Sequence, residues 1–156
     1  MLFNVKTETK YVRSKLISDN QKLLMNYIEN EKFTGYDPYD TLNSFFLHKK
    51  IGKWPLAVAT QIQKRNPLNI RFLLGIKKEI NPKAFGLFLM TYSILFQKTK
   101  KQKYLKQCHY FFDWIKNNYS RGYSGKCWGY NFPWASPVKY MDAYIPSSVV
   151  TGFIVK

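Results

Sequence analysis

Residues 35–44 read GYDPYDTLNS and place two carboxylates, Asp37 and Asp40, three positions apart around a single proline. The whole chain of 156 residues holds only 9 acidic side chains, so a close pair of them stands out. Two chemistries fit the spacing. As helix-start residues, Asp37 would cap the first turn ahead of Pro38, and Asp40 would sit at the third helical position, each stabilising the helix by about 1 kcal/mol or less. As functional groups, carboxylates one turn apart on a helix lie within about 5–6 Å at their Cβ atoms. That is close enough to hold one sugar hydroxyl between them or to act as an acid and a base. On this reading Asp40 is the candidate ligand or catalyst. Asp37 is the helix cap that can join it, and Asp40→Asn should cost under about 1.5 kcal/mol of stability.

Two further stretches carry side chains that could complete a site. KCWGYNFPWASPVKYMDAYIP crowds Trp128, Tyr130, Phe132, Trp134 and Tyr140 among glycines and prolines, with Asn131 between them. Such rings can plug a loop onto a core. They can also form the flat wall on which a sugar ring stacks while amides and carboxylates take its hydroxyls. RNPLNIRFLLGIKKEINPKAFG supplies Arg71, Asn81 and Lys83. Arg71 lies among apolar neighbours and needs an anionic partner, either Asp37, Asp40 or an acidic ligand. Asn81 reads as a helix cap before Pro82, with Lys83 following it.

Elements must position these groups, and the pattern is helical. Tyr11, Val12, Leu16, Leu23, Leu24, Tyr27 and Ile28 recur at three- and four-residue spacing from about 9 to 30. Asp37-Pro38, Asn66-Pro67 and Asn81-Pro82 each place a capping side chain before a proline, and Trp54-Pro55 marks a further short helix. NPKAFGLFLMTYSILFQKT is apolar nearly all round and should be buried on most sides. After a basic turn, KQKYLKQCHYFFDWIKNNY turns Tyr104, Leu105, Cys108, Phe111, Phe112 and Ile115 to one face. A loop from 121 to about 145 precedes a last apolar segment, PSSVVTGFIVK, which is too short to bury its face alone. The expectation is a single all-α domain over 1–156, built of helical hairpins and forming the N-terminal portion of something longer. Three loops, 33–45, 66–83 and 121–145, would carry the function.

Composition narrows the class. With 46% apolar and 18% aromatic residues the chain is no disordered tail. Its net charge of +16 suits an anionic partner. The excess is mostly lysine, however, accompanied by abundant Asn, Ile, Tyr and Phe, as an AT-rich coding sequence would produce. Arg13, Arg65, Arg71 and Arg121 are the only guanidiniums, too few and too scattered for a specific nucleic-acid reader. No leader with an apolar core and no bilayer-length apolar run is present, which points to the cytoplasm. Cys108 and Cys127 read as free thiols there. His48 and His109 stand apart, so neither a metal nor any other cofactor is expected.

FTGYDPYDTLNS, NIRFLLGIKKEINPKAFGLFLMTY and GKCWGYNFPW…IPSSVVTGFI together resemble the N-terminal half of a group of bacterial and archaeal proteins in the six-hairpin glycosidase-like superfamily. The resemblance runs from about Lys15 onward. It implies part of an (α/α)6 toroid, a role in cell-surface polysaccharide metabolism and a carbohydrate or glycan ligand. It also implies that the segments Tyr36–Asp40, Arg71, Asn81–Lys83 and Trp128–Trp134 line one mouth of the ring. WASPVKYMDA departs from that pattern, which has an amide or a charged residue near Ala135 and Ser136. The functional expectation is therefore a glycosidase-, lyase- or epimerase-like domain, inactive by itself. Asp37 and Asp40 would be its acid and base, and Tyr36, Tyr39, Arg71, Asn81, Trp128, Tyr130, Asn131 and Trp134 its sugar subsite. The competing expectation is a non-catalytic basic helical module that binds an acidic polymer or a protein.

Overall fold

The computed structural model describes residues 2–47 and 49–156, with side chains from Lys15 onward. His48 therefore lies outside the described residues, as do the side chains of Tyr11, Val12 and Arg13. The chain divides into two compact units, 1–34 and 35–156.

The first unit is one helix, α1 (Leu2–Asn30), longer at its start than the periodicity from residue 9 suggested. It ends in a Schellman motif: Lys32 N–H donates to Glu29 O and Phe33 N–H to Ile28 O, both at 3.0 Å. Lys32 and Phe33 take the left-handed conformation that closes the motif, at φ 51 and 60°. Leu16, Leu23, Leu24 and Tyr27 of that periodic set are all exposed.

The second unit is mostly helical. It contains α2 (Lys53–Arg65), α3 (Pro82–Thr99), α4 (Gln102–Asn117) and α5 (Ser148–Val155), with a two-residue antiparallel hairpin, β1 (Trp134–Ala135) and β2 (Tyr140–Met141). Trp134 pairs with Met141 and Ala135 with Tyr140. No toroid is evident among the described residues.

Asn81 caps α3 as its sequence required: Lys83 N–H donates to Asn81 Oδ1 at 3.0 Å, with Pro82 in the first turn. The other two Asx-Pro steps do something else. Asn66 accepts the Leu68 N–H at 3.0 Å and Asn69 the Arg71 N–H at 3.3 Å, so 66–75 winds through turns instead of a helix. Leu68, Phe72 and Leu73 stay exposed there, and without a face to bury a short helix has nothing to hold it. At Asp37-Pro38 the chain makes a turn followed by a short 3-10 helix, Asp40–Asn43. Around Trp54-Pro55 the helix is longer than expected and starts one residue earlier, at Lys53.

Two cores hold the unit. In the first, α3 and α4 pack antiparallel through aromatic rings. Phe85 meets Phe111 at 5.1 Å and Trp114 at 4.7 Å between centroids, while Tyr92 meets Tyr104 at 5.9 Å further along. α5 lies against α3 where Gly86 leaves room: a Cβ there would stand 3.0 Å from the Ile154 Cα. Val150 is fully buried on that face. α3 is less enveloped than its composition suggested, because Met90 and Ile94 remain exposed, and so does Phe112 on the expected apolar face of α4. The second core joins Leu42, Leu56 and Ala135, with Leu47 and Tyr140 packed on it. It ties the 3-10 turn to α2 and the β hairpin.

Candidate functional site

The 37–40 turn is built by its own side chains. Asp37 Oδ1 accepts the Tyr39 N–H at 2.9 Å, an Asx turn, and Asp40 Oδ2 accepts the Asp37 N–H at 3.0 Å. Arg71 then clamps both residues. Its Nε donates to Asp40 Oδ1 at 2.9 Å and Oδ2 at 3.1 Å, and its Nη2 to the Asp37 carbonyl at 3.0 Å. Asn81 Nδ2 completes the set at 3.0 Å from Asp37 Oδ2. The loop that follows Asn66 and the cap of α3 thus grip the same turn. An antiparallel bridge beside it joins Gly35 and Glu79 through two 3.0 Å hydrogen bonds.

This wiring separates the two carboxylates. Asp40 is only 3% exposed, and its oxygens are taken by Arg71 and by the Asp37 N–H. Burial pushes its carboxyl above the usual range, while the Arg71 guanidinium and the backbone donor pull it back in part. Asp40 thus anchors the turn. Asp37 is half-buried and uses one lone pair on each oxygen, for Tyr39 and Asn81. A carboxylate offers about four acceptor sites, so roughly two remain for a ligand. Asp37 caps no α-helix, since only the 3-10 turn Asp40–Asn43 follows it, and of the two carboxylates it is the one with acceptor capacity left.

Asp37 opens onto a cleft of about 440 Å³, a size typical of small-molecule sites. Pro38, Tyr39, Lys83, Tyr130, Phe132, Trp134 and Met141 line it, together with Ser147 and Val149 at the start of α5. Tyr130 and Phe132 stack at 5.1 Å between centroids. Burial raises the Tyr130 phenol above its ordinary pKa, and the charges of Asp37 and Tyr39 raise it further. Tyr130 therefore keeps its proton and can donate a hydrogen bond into the cleft. Tyr39 is held by Lys64, whose ammonium bonds the phenol oxygen and sits 4.3 Å from the ring centre.

Of the residues expected at the site, Asp37, Tyr39, Tyr130 and Trp134 converge on this cleft, and Asn81 reaches it through Asp37. Asp40, Arg71 and Tyr36 form its support, Arg71 lying 5.3 Å from the centre of the Tyr36 ring. Trp128 is a strut elsewhere. It is 6% exposed, its Nε1 donates to Ile115 O at 3.0 Å, and its backbone is tied to Thr151 and Ser147 of the α5 start. Asn131 is buried away from the cleft lining and donates from Nδ2 to Glu79 Oε2 at 2.9 Å.

Lys83 and Phe132 fall within segments expected at the mouth but were not named in the subsite, and the α5 start was not expected there at all. Lys83 carried a signal, being two residues past a cap that touches Asp37. Ser147 and Val149 carried none. Cys108 and Cys127 are both free thiols. Among the described residues no three His, Cys, Asp or Glu side chains gather around a point that could hold a metal ion, and no helix is long and apolar enough to cross a membrane.

Compared with known proteins, the chain matches no family model, no curated protein and no solved structure.

Proposed function

We propose that this protein binds or processes a carbohydrate in cell-surface polysaccharide metabolism, from the cytoplasm, and that its helices are the N-terminal part of a six-hairpin, (α/α)6-type toroid. The observation that carries the reading is the convergence of a half-used carboxylate, Asp37, with the rings of Tyr39, Tyr130, Phe132 and Trp134 on one cleft. Rings take the C–H faces of a sugar and the carboxylate takes its hydroxyls. Tyr130 adds a donor, and Lys83 adds a positive charge suited to an acidic substituent.

The same geometry favours binding over glycosidic hydrolysis by this unit. Hydrolysis of the usual kind needs two carboxyl groups flanking the bond, and Asp40 is committed to Arg71. A second carboxyl group would have to come from outside this cleft.

The test is a titration of the chain with neutral and acidic oligosaccharides on an array, followed by calorimetry on those that bind. Asp37→Asn, which also loses the bond from Asn81 Nδ2, should lose at least tenfold in affinity while costing about 1–3 kcal/mol of stability. Binding that survives the substitution unchanged would remove Asp37 from the site. The second reading, a basic interaction module, draws on the exposed stripe Trp54, Val58 and Ile62 of α2. Binding to that stripe would be insensitive to Asp37→Asn.

A further inference from the structure

We propose that the turn between α3 and α4 is a docking surface for an anionic lipid bilayer. Lys98, Lys100, Lys101, Lys103 and Lys106 fall within nine residues and are all exposed. The chain has no carboxylate between Glu79 and Asp113, so the whole α3–α4 corner is positive. None of the five lysines forms an ion pair among the described residues.

Backbone and ring contacts shape the corner. Lys100 adopts the left-handed conformation at φ 56°, its N–H bonding Phe96 O at 2.8 Å, which turns the chain sharply out of α3. Lys100 and Lys103 extend over the rings of Phe96 and Tyr104, at 5.9 and 4.8 Å. α4 then starts without an acidic residue in its first turn and without a side-chain cap.

Two features select a lipid surface over other anions. The charges are exposed ammonium points at a helix-to-helix corner, with no arginine fork to read a base or a single phosphate. Met90 and Ile94 are exposed on α3 at four-residue steps leading to Lys98, so an apolar strip runs into the charged corner. Lysines beside exposed apolar side chains are the arrangement that rests in a headgroup layer. The corner is also separate from the cleft: α3 has 18 residues, which sets Lys83 and Lys98 near opposite ends of a helix about 27 Å long. The proposal does not depend on the carbohydrate reading.

The experiment is co-sedimentation of the full chain with phosphatidylcholine vesicles, with and without phosphatidylserine, across a salt series. Binding should need phosphatidylserine and weaken as salt rises. Each lysine near the surface contributes about fivefold to the partition coefficient, so the K98Q/K100Q/K101Q/K103Q/K106Q variant should fall by more than about a hundredfold. A charge-matched variant, K15Q/K22Q/K50Q/K77Q/K139Q, should fall far less. M90S/I94S should weaken vesicle binding and leave binding to inorganic polyphosphate unchanged. Vesicles left unbound would overturn the proposal. Equal losses in the two lysine variants would do the same, by making the effect one of net charge alone. Polyphosphate binding with no sensitivity to M90S/I94S on vesicles would make the corner a soluble-polyanion site instead.

Discussion

Asp40→Asn separates the anchoring role assigned to Asp40 from a ligand-binding one. The substitution removes a charge from a side chain 4% exposed and leaves Arg71, 15% exposed, without its counter-ion. Breaking a fully buried pair by removing one partner costs about 3–5 kcal/mol. Arg71 keeps some contact with water and keeps its bond to the Asp37 carbonyl, so the expected loss is about 2–3 kcal/mol. That exceeds the bound of about 1.5 kcal/mol that capping alone sets. For a unit of this size the loss corresponds to a fall in Tm of roughly 8–12 °C. Denaturant unfolding followed by tryptophan fluorescence reads it as a lower midpoint at unchanged slope. Arg71→Met should cost a similar amount, and the double variant should fall short of the sum by at least about 1 kcal/mol. A loss under about 0.5 kcal/mol in Asp40→Asn, or strict additivity with Arg71→Met, would refute the anchoring role.

Because burial raises the Asp40 pKa in the folded state, the native protein holds that proton more tightly than the unfolded chain. Its contribution to stability is therefore full below the unfolded pKa and is lost as pH rises through the raised folded value. Acid-range unfolding curves should show that slope in the wild type and lack it in Asp40→Asn. The two tryptophans of the aromatic loop should part company. Trp128→Ala removes a buried ring and its bond to Ile115 O, and should cost about 3–5 kcal/mol. Trp134→Ala, at 38% exposure, should cost under about 1 kcal/mol yet weaken any ligand of the cleft. Equal unfolding midpoints for the two would contradict this division. Gly129→Ala should disrupt the loop's path behind the cleft, because a Cβ there would collide with the Ile145 carbonyl oxygen and stand 2.7 Å from the Tyr144 carbonyl carbon. A native-like midpoint for that variant would show that the loop relaxes freely.

What could be read from the residues alone was whatever depends on near neighbours in the chain. The cap at Asn81 and the α3–α4 pair follow from side chains acting within a few positions. So did the need of Arg71 for an anion, since a guanidinium among apolar residues has few other solutions. The three Asx-Pro steps looked alike in sequence and ended differently, because a cap stabilises a helix only where packing supplies a buried face. α3 has Phe85, Gly86 and Tyr92 to bury, whereas the 66–75 segment leaves Leu68, Phe72 and Leu73 in water. Only the tertiary structure decided which carboxylate was spent. Asp37 and Asp40 are nearly equivalent on paper, and the choice fell to Arg71, 31 residues beyond Asp40, whose reach closes on one and leaves the other facing the cleft. The same holds for Trp128 and Trp134: one loop carries both rings, and the position of α4 makes the first a strut and leaves the second at the cleft wall.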